Sequence, residues 1–227
     1  MILFITVWST TVAVLGILVA WPVLITALRE SGALVVAQDG SWSVTLELDE
    51  LGRIFSPAGG LTLATSAAAA LATVLSVWAM HRFFDGPSLL DLGLRLRPGW
   101  LRESLVGLAL GPLMFLAILL VLLATGWASV DPGAVDGRGM LTAFVTFALV
   151  GFSEEVVARG WVLQVIERSH GTATAALASS GLFALLHTFN PGIDVMALLG
   201  LFAARWLFAQ AYLATRQLWL PIALHLS

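Results

Sequence analysis

Polar and apolar positions fall into long blocks along the chain. Ile2 to Leu28 is a nearly uncharged run, long enough to cross a hydrocarbon core of roughly 30 Å at about 1.5 Å per residue. Comparable runs occupy Gly60–Phe84, about Ser104–Trp127, Met140 to about Ile166, Thr172–Phe189 and about Ile193–Ala214. Leu218 to Ser227 opens a seventh, much shorter than the roughly 20 residues a span requires. The pattern predicts an all-α, polytopic membrane helical bundle of about seven transmembrane helices, the last truncated. Between the first two blocks lie Asp39-Gly40, Glu47, Asp49, Glu50 and Pro57, with the alternation Trp42-Ser-Val-Thr-Leu-Glu-Leu48. These read as a polar loop over 29–59 with a short strand. Residues 1–84 are thus expected to form a transmembrane pair, 85–103 a cytoplasmic interfacial connector, and 104–227 a second membrane domain. Asp131-Pro-Gly-Ala-Val-Asp-Gly137 and Asn190-Pro-Gly192 are read as breaks between spans.

Composition sharpens this picture. The 227 residues are 59% hydrophobic and 11% charged, with a mean hydropathy of +0.95, far more apolar than a soluble core requires. All 11 basic residues are arginine and the net charge is −3, which argues against a nucleic-acid-binding surface. The absence of cysteine excludes thiol nucleophiles, disulfides and cysteine metal sites. The first block lacks a basic leader and a small-residue cleavage site, so it reads as a retained span. With the N-terminus inside, Arg82, Arg95, Arg97, Arg102, Arg168 and Arg216 are cytoplasmic, against Arg29, Arg53 and Arg138 outside. Leu92-Gly-Leu-Arg-Leu-Arg-Pro-Gly-Trp100 reads as an interfacial anchor at the headgroup level. Ser66–Ala72 and Gly107-Leu-Ala-Leu-Gly111 offer small-residue surfaces for helix packing. His81 and His170 stand at helix ends and read as solvated.

Against this background Phe152-Ser-Glu-Glu-Val-Val-Ala-Arg-Gly160 stands out, since an ionisable side chain inside a membrane segment costs roughly 2.5–3.5 kcal/mol. Glu155 and Arg159 are spaced i, i+4, the acid first, as an ion pair on one helix face prefers. Glu154 points about 100° away and reads as the carboxylate left free for chemistry. Apolar packing also fails to explain His187, one turn after Phe183, and His225. Arg205 reads as an ion pair or a snorkelling side chain. Singly, each histidine fits a packing role; three polar groups on separate helices suggest one shared interior site. A carboxylate with a neighbouring imidazole can activate water as a general base, and a second histidine can donate to a developing oxyanion. Ser153, Ser179 and Ser180 lack a nucleophile-elbow setting. Zinc held by Glu154, His187 and His225 is the rival reading, although no His-Glu-x-x-His signature is present.

These residues carry a resemblance. Glu154-Glu155-x-x-x-Arg159, Phe183-x-x-x-His187, and His225 after Leu218-Trp-Leu-Pro-Ile-Ala-Leu resemble the three motifs of the family of CAAX proteases and bacteriocin-processing enzymes, the type II CAAX prenyl endopeptidase-like proteins. The likeness spans about Leu141 to Ser227, with Asp91-Leu-Gly-Leu-Arg95 resembling the family's usual start of the domain. It implies that 104–227 is the catalytic domain of a metal-independent intramembrane glutamate protease. Glu154 and His187 would activate water, His225 would stabilise the oxyanion, and Glu155 and Arg159, with Phe183, would hold the architecture. It further implies a peptide or membrane-protein substrate, membrane lipid as surroundings, no cofactor, and a multi-pass protein of the bacterial plasma membrane. An asparagine or aspartate four residues after His225, beyond Ser227, is expected to complete the third motif. Ala158 stands where the family usually has an aromatic residue. Two other classes fit the same residues: a non-enzymatic immunity or scaffold protein, and a transporter using Glu154 as a proton carrier, for which no inverted repeat is visible.

Overall fold

The computed structural model describes residues 1–227 except 32, 37–41, 45–51, 53, 54, 57, 131–135, 189, 191 and 192. Those positions include Asp39-Gly40, Glu47, Asp49, Glu50, Arg53, Pro57, the strand residues after Val44, and most of both turn-rich breaks, so the readings placed on them lie outside the described residues.

The chain is built from helices α1 (Ile2–Glu30), α2 (Gly60–Phe84), α3 (Trp100–Ala124), α4 (Gly137–Glu155), α5 (Gln164–His170), α6 (Thr172–Leu186), α7 (Val195–Thr215) and α8 (Trp219–Leu226). Two short antiparallel strands, β1 (Leu34–Val36) and β2 (Trp42–Val44), pair Leu34 with Val44. Among the described residues five helices are long and apolar enough to cross a membrane: α1, α2, α3, α7 and the continuous Gly137–His170. The protein is therefore an integral membrane protein with an all-α bundle. The expected fifth span is instead the 15-residue α6, about 22 Å of helix at 1.5 Å per residue.

Two compact units divide the chain. One comprises residues 3–76 and 134–150. In it Leu28, Ala33 and Leu61 form a buried cluster flanked by Ala20, Val23, Leu24, Ala27 and Leu34. Trp8 Nε1 donates to Thr73 Oγ1 at 2.9 Å, giving an indole N–H a partner that lipid cannot supply. Ala68, Ala70 and Ala72 are buried, as the small-residue stretch predicts.

The other unit comprises 1–2, 77–133 and 151–227. Here α3 lies along α8, and its two glycines are the reason they come so close. A Cβ on Gly107 would stand 2.6 Å from that of Ala223, and one on Gly111 2.8 Å from that of Ser227. The weak small-xxx-small pattern is thus a packing face. α2 is followed by Asp85, at φ 50°, and His81 Nδ1 donates to the Gly86 carbonyl at 2.8 Å. His170 is exposed at the end of α5, so both histidines stand where the sequence put them.

The connector packs into the protein over its first half. Leu90–Leu94 is a π turn with Gly93 at φ 118°, a backbone glycine adopts freely. Leu92 and Leu94 are buried against protein. Leu218 N–H donates to the Gly93 carbonyl at 2.8 Å, Gln164 Nε2 to the Leu92 carbonyl at 3.0 Å, and Trp219 Nε1 to the Arg95 carbonyl at 3.1 Å. From Arg95 onward the chain is at the surface, with Leu96 and both arginines exposed. Trp100 to Glu103 already form the first turn of α3.

Candidate active site

The central helix changes its winding where the charges are. α4 ends at Glu155, and Val156–Leu163 continue as a π segment before α5. π segments are rare, occur mostly as short bulges inside α-helices, and are frequent at functional sites. Seven of its eight residues are buried, Ala158 among them. Gly160 makes the burial possible, since a Cβ there would already stand 3.3 Å from Leu92 and Leu218 side chains.

Glu155 and Arg159 form the expected pair at 3.1 Å, both side chains fully buried. Burying two charges is offset only when every lobe finds a partner, and here most do. Arg159 Nη2 donates to the Arg205 carbonyl at 2.6 Å. Glu155 Oε1 also accepts from Arg205 Nη1 at 3.1 Å and from His225 Nδ1 at 3.1 Å. Glu155 Oε2 and the Nε atoms of both arginines are buried without a hydrogen-bond partner among the described residues.

Glu154 is not free of a counter-ion, contrary to the expectation from helical spacing. Its Oε2 accepts from Arg205 Nη2 at 3.0 Å. Its Oε1 faces His187 Nε2 at 3.8 Å, and His225 Nε2 lies 3.5 Å from Oε2. Glu154 and His187 side chains are 27% and 25% exposed, against 0% for Glu155, so the accessible edge of the cluster is the one these two share.

The shortness of α6 explains how His187 gets there. It caps the helix at φ −93°, ψ 0°, and its Nδ1 bonds the Phe183 carbonyl at 2.8 Å, one of the final carbonyls a helix leaves unpaired. A carbonyl can only accept, so Nδ1 carries a proton, and Nε2 points toward Glu154. Phe183 stacks on the His187 ring with centroids 4.3 Å apart. His225 lies against both Glu155 and Arg205: its Nδ1 is 3.1 Å from Glu155 Oε1 and 3.0 Å from Arg205 Nη1, and its Nε2 is 3.3 Å from Arg205 Nη2.

All six residues singled out from the sequence, Glu154, Glu155, Arg159, Phe183, His187 and His225, therefore converge. The residue that sequence reasoning underrated is Arg205. Its side chain is 7% exposed and turned inward, with its guanidinium carbon 3.7 Å from the Phe183 ring centroid. The available signal was a lone cation in the middle of an apolar helix. Ser153, Ser179 and Ser180 are buried. Among the described residues no three His, Asp or Glu side chains are arranged to hold a metal ion.

Comparison with known proteins bears out the resemblance. Residues 137–227 match the family model described as Rce1-like, type II CAAX prenyl endopeptidase Rce1-like. Neither a curated protein nor a solved structure matches the chain.

Proposed function

From the premise that residues 137–227 are Rce1-like, consistent with the family of CAAX proteases and bacteriocin-processing enzymes, we propose that the protein is an intramembrane endopeptidase. It hydrolyses a peptide bond of a peptide or membrane-associated protein by water attack. The observation that carries this reading is the pair of polar groups at the exposed edge: Glu154 Oε1 and His187 Nε2, 3.8 Å apart. That separation is too long for a direct hydrogen bond and suits one water bridging the two. Glu154 takes a proton as the water oxygen attacks the carbonyl carbon, and returns it to the amine as the tetrahedral intermediate collapses. His225, 3.5 Å from Glu154 through its Nε2, is the group that donates to the oxyanion.

The reading is metal-free. Arg205 Nη2 lies 3.0 Å from Glu154 Oε2 and 3.3 Å from His225 Nε2, so a positive charge already stands beside two of the three ligands zinc would use. Activity should accordingly survive a chelator. The substrate is a chain reaching the site from the bilayer or its surface, and nucleic acid has no part in it.

The test is Glu154→Gln in purified protein, with a panel of prenylated and unprenylated C-terminal peptides. Loss of the base should lower cleavage by about 10²–10⁴ while membrane insertion is kept. Cleavage at the unsubstituted rate would remove Glu154 from the chemistry. A non-enzymatic scaffold would bind peptides and cleave none.

A further inference from the structure

Arg205 is the single charged residue of α7, and its surroundings do not fit a snorkelling side chain, which would run outward to the interface. Nη2 holds Glu154 Oε2 at 3.0 Å, and Nη1 holds Glu155 Oε1 at 3.1 Å. One guanidinium face lies on Phe183, at 3.7 Å from the ring centroid, and Phe208 lies 5.3 Å away. Its backbone carbonyl accepts from Arg159 at 2.6 Å, so the residue is fixed at both ends. The two glutamates and two arginines sum to zero charge, and neither arginine alone balances both acids.

We propose that Arg205 is a positioning residue: by tying down Glu154 Oε2 it turns Oε1 toward His187 Nε2 and keeps it there. The inference rests on the reading of Glu154 as the base and adds the group that aims it. Glu154 alone among the two acids is part-exposed, so its carboxylate has room to swing once that bond is lost. The role needs the planar fork of arginine. A lysine carries the charge on one nitrogen and cannot meet both carboxylates in the same geometry.

Arg205→Lys separates aiming from simple charge balance. Aiming predicts a fall in kcat of at least tenfold with KM within about twofold, and a thermal midpoint close to that of the unsubstituted protein. Charge balance alone predicts full cleavage, and that outcome overturns the proposal. Where Arg205→Lys does not accumulate, Glu155→Gln is compared with Glu155→Gln/Arg205→Met, which has a neutral cluster. A further tenfold fall in kcat supports aiming; equal rates overturn it. A readout without turnover is the antisymmetric carboxylate stretch of Glu154, isolated by subtracting the infrared spectrum of Glu154→Gln. It should shift in Arg205→Lys, and an unmoved band overturns the proposal even if no peptide is cleaved. Failure of the endopeptidase reading looks different: Glu154→Gln as active as the unsubstituted protein, or no cleavage by either.

Discussion

Helix α3 and the π segment Val156–Leu163 lie in the same unit and spend their side chains in opposite ways. Of α3 only Gly107 is buried, and Leu113, Phe115, Ile118 and Val121 are each about 60% exposed. In the π segment seven of eight residues are buried and one of them is an arginine. Lipid is as apolar as leucine, so an outward-facing helix gains nothing from burial and only has to be long and uncharged. The interior is where charge can persist, because its partners are there. Hydropathy therefore finds helices such as α3 easily and says least about the segment that carries the chemistry.

The contrast can be attacked at several levels. Arg159→Leu should have the largest effect, since it removes one partner of a fully buried pair. Such losses cost about 3–5 kcal/mol, and the protein should fail to accumulate or unfold far earlier in a detergent melt. Leu113→Ala on α3 should shift the same melt by less than about 0.5 kcal/mol. His187→Ala should lower cleavage about a hundredfold or more, measured as kcat/KM, with the melt nearly unchanged because the ring is a quarter exposed. Gly107→Leu should destabilise by about 1–3 kcal/mol through overpacking, and it should weaken cleavage through displacement of α8 and His225.

The smallest effect concerns the connector. Asp91 accepts from Ser88 N–H at 3.1 Å, Ser88 Oγ at 2.7 Å and Arg95 at 2.5 Å. The Ser88 hydroxyl bond first, then the Arg95 bond, holds its carboxyl down at about 2, below the ordinary value of about 3.9. A depressed acid contributes fully above the unfolded value and loses its contribution as pH falls through the folded one. The turn should thus hold from neutral pH to about 4 and let go near 2. A titration midpoint for the Asp91 carboxyl carbon near 4 by NMR would count against these contacts.

Much of this was legible in the chain. Long uncharged runs located the helices, because a span must satisfy all its backbone groups internally. The i, i+4 spacing gave the Glu155–Arg159 pair, and the polarity of His187 and His225 marked them as members of one site. Three things were hidden. The π winding after Glu155 has no signature in residue type, so the direction of each side chain could not be read from a period of about 3.6. The early end of α6 at Leu186 is set by the His187–Phe183 contact, whereas the apolar run continues to Phe189. Arg205 was visible as an anomaly, yet a single cation on an apolar helix fits outward snorkelling as well as an inward pair until the opposing helices are placed.

The decisive question is whether Glu154 and His187 act on one water. A double-mutant cycle in kcat/KM over Glu154→Gln, His187→Ala and the combined variant answers it. Groups acting as a unit are strongly non-additive, so the combined variant should be no slower than the slower single one. Losses that multiply would mean two independent groups and no shared water.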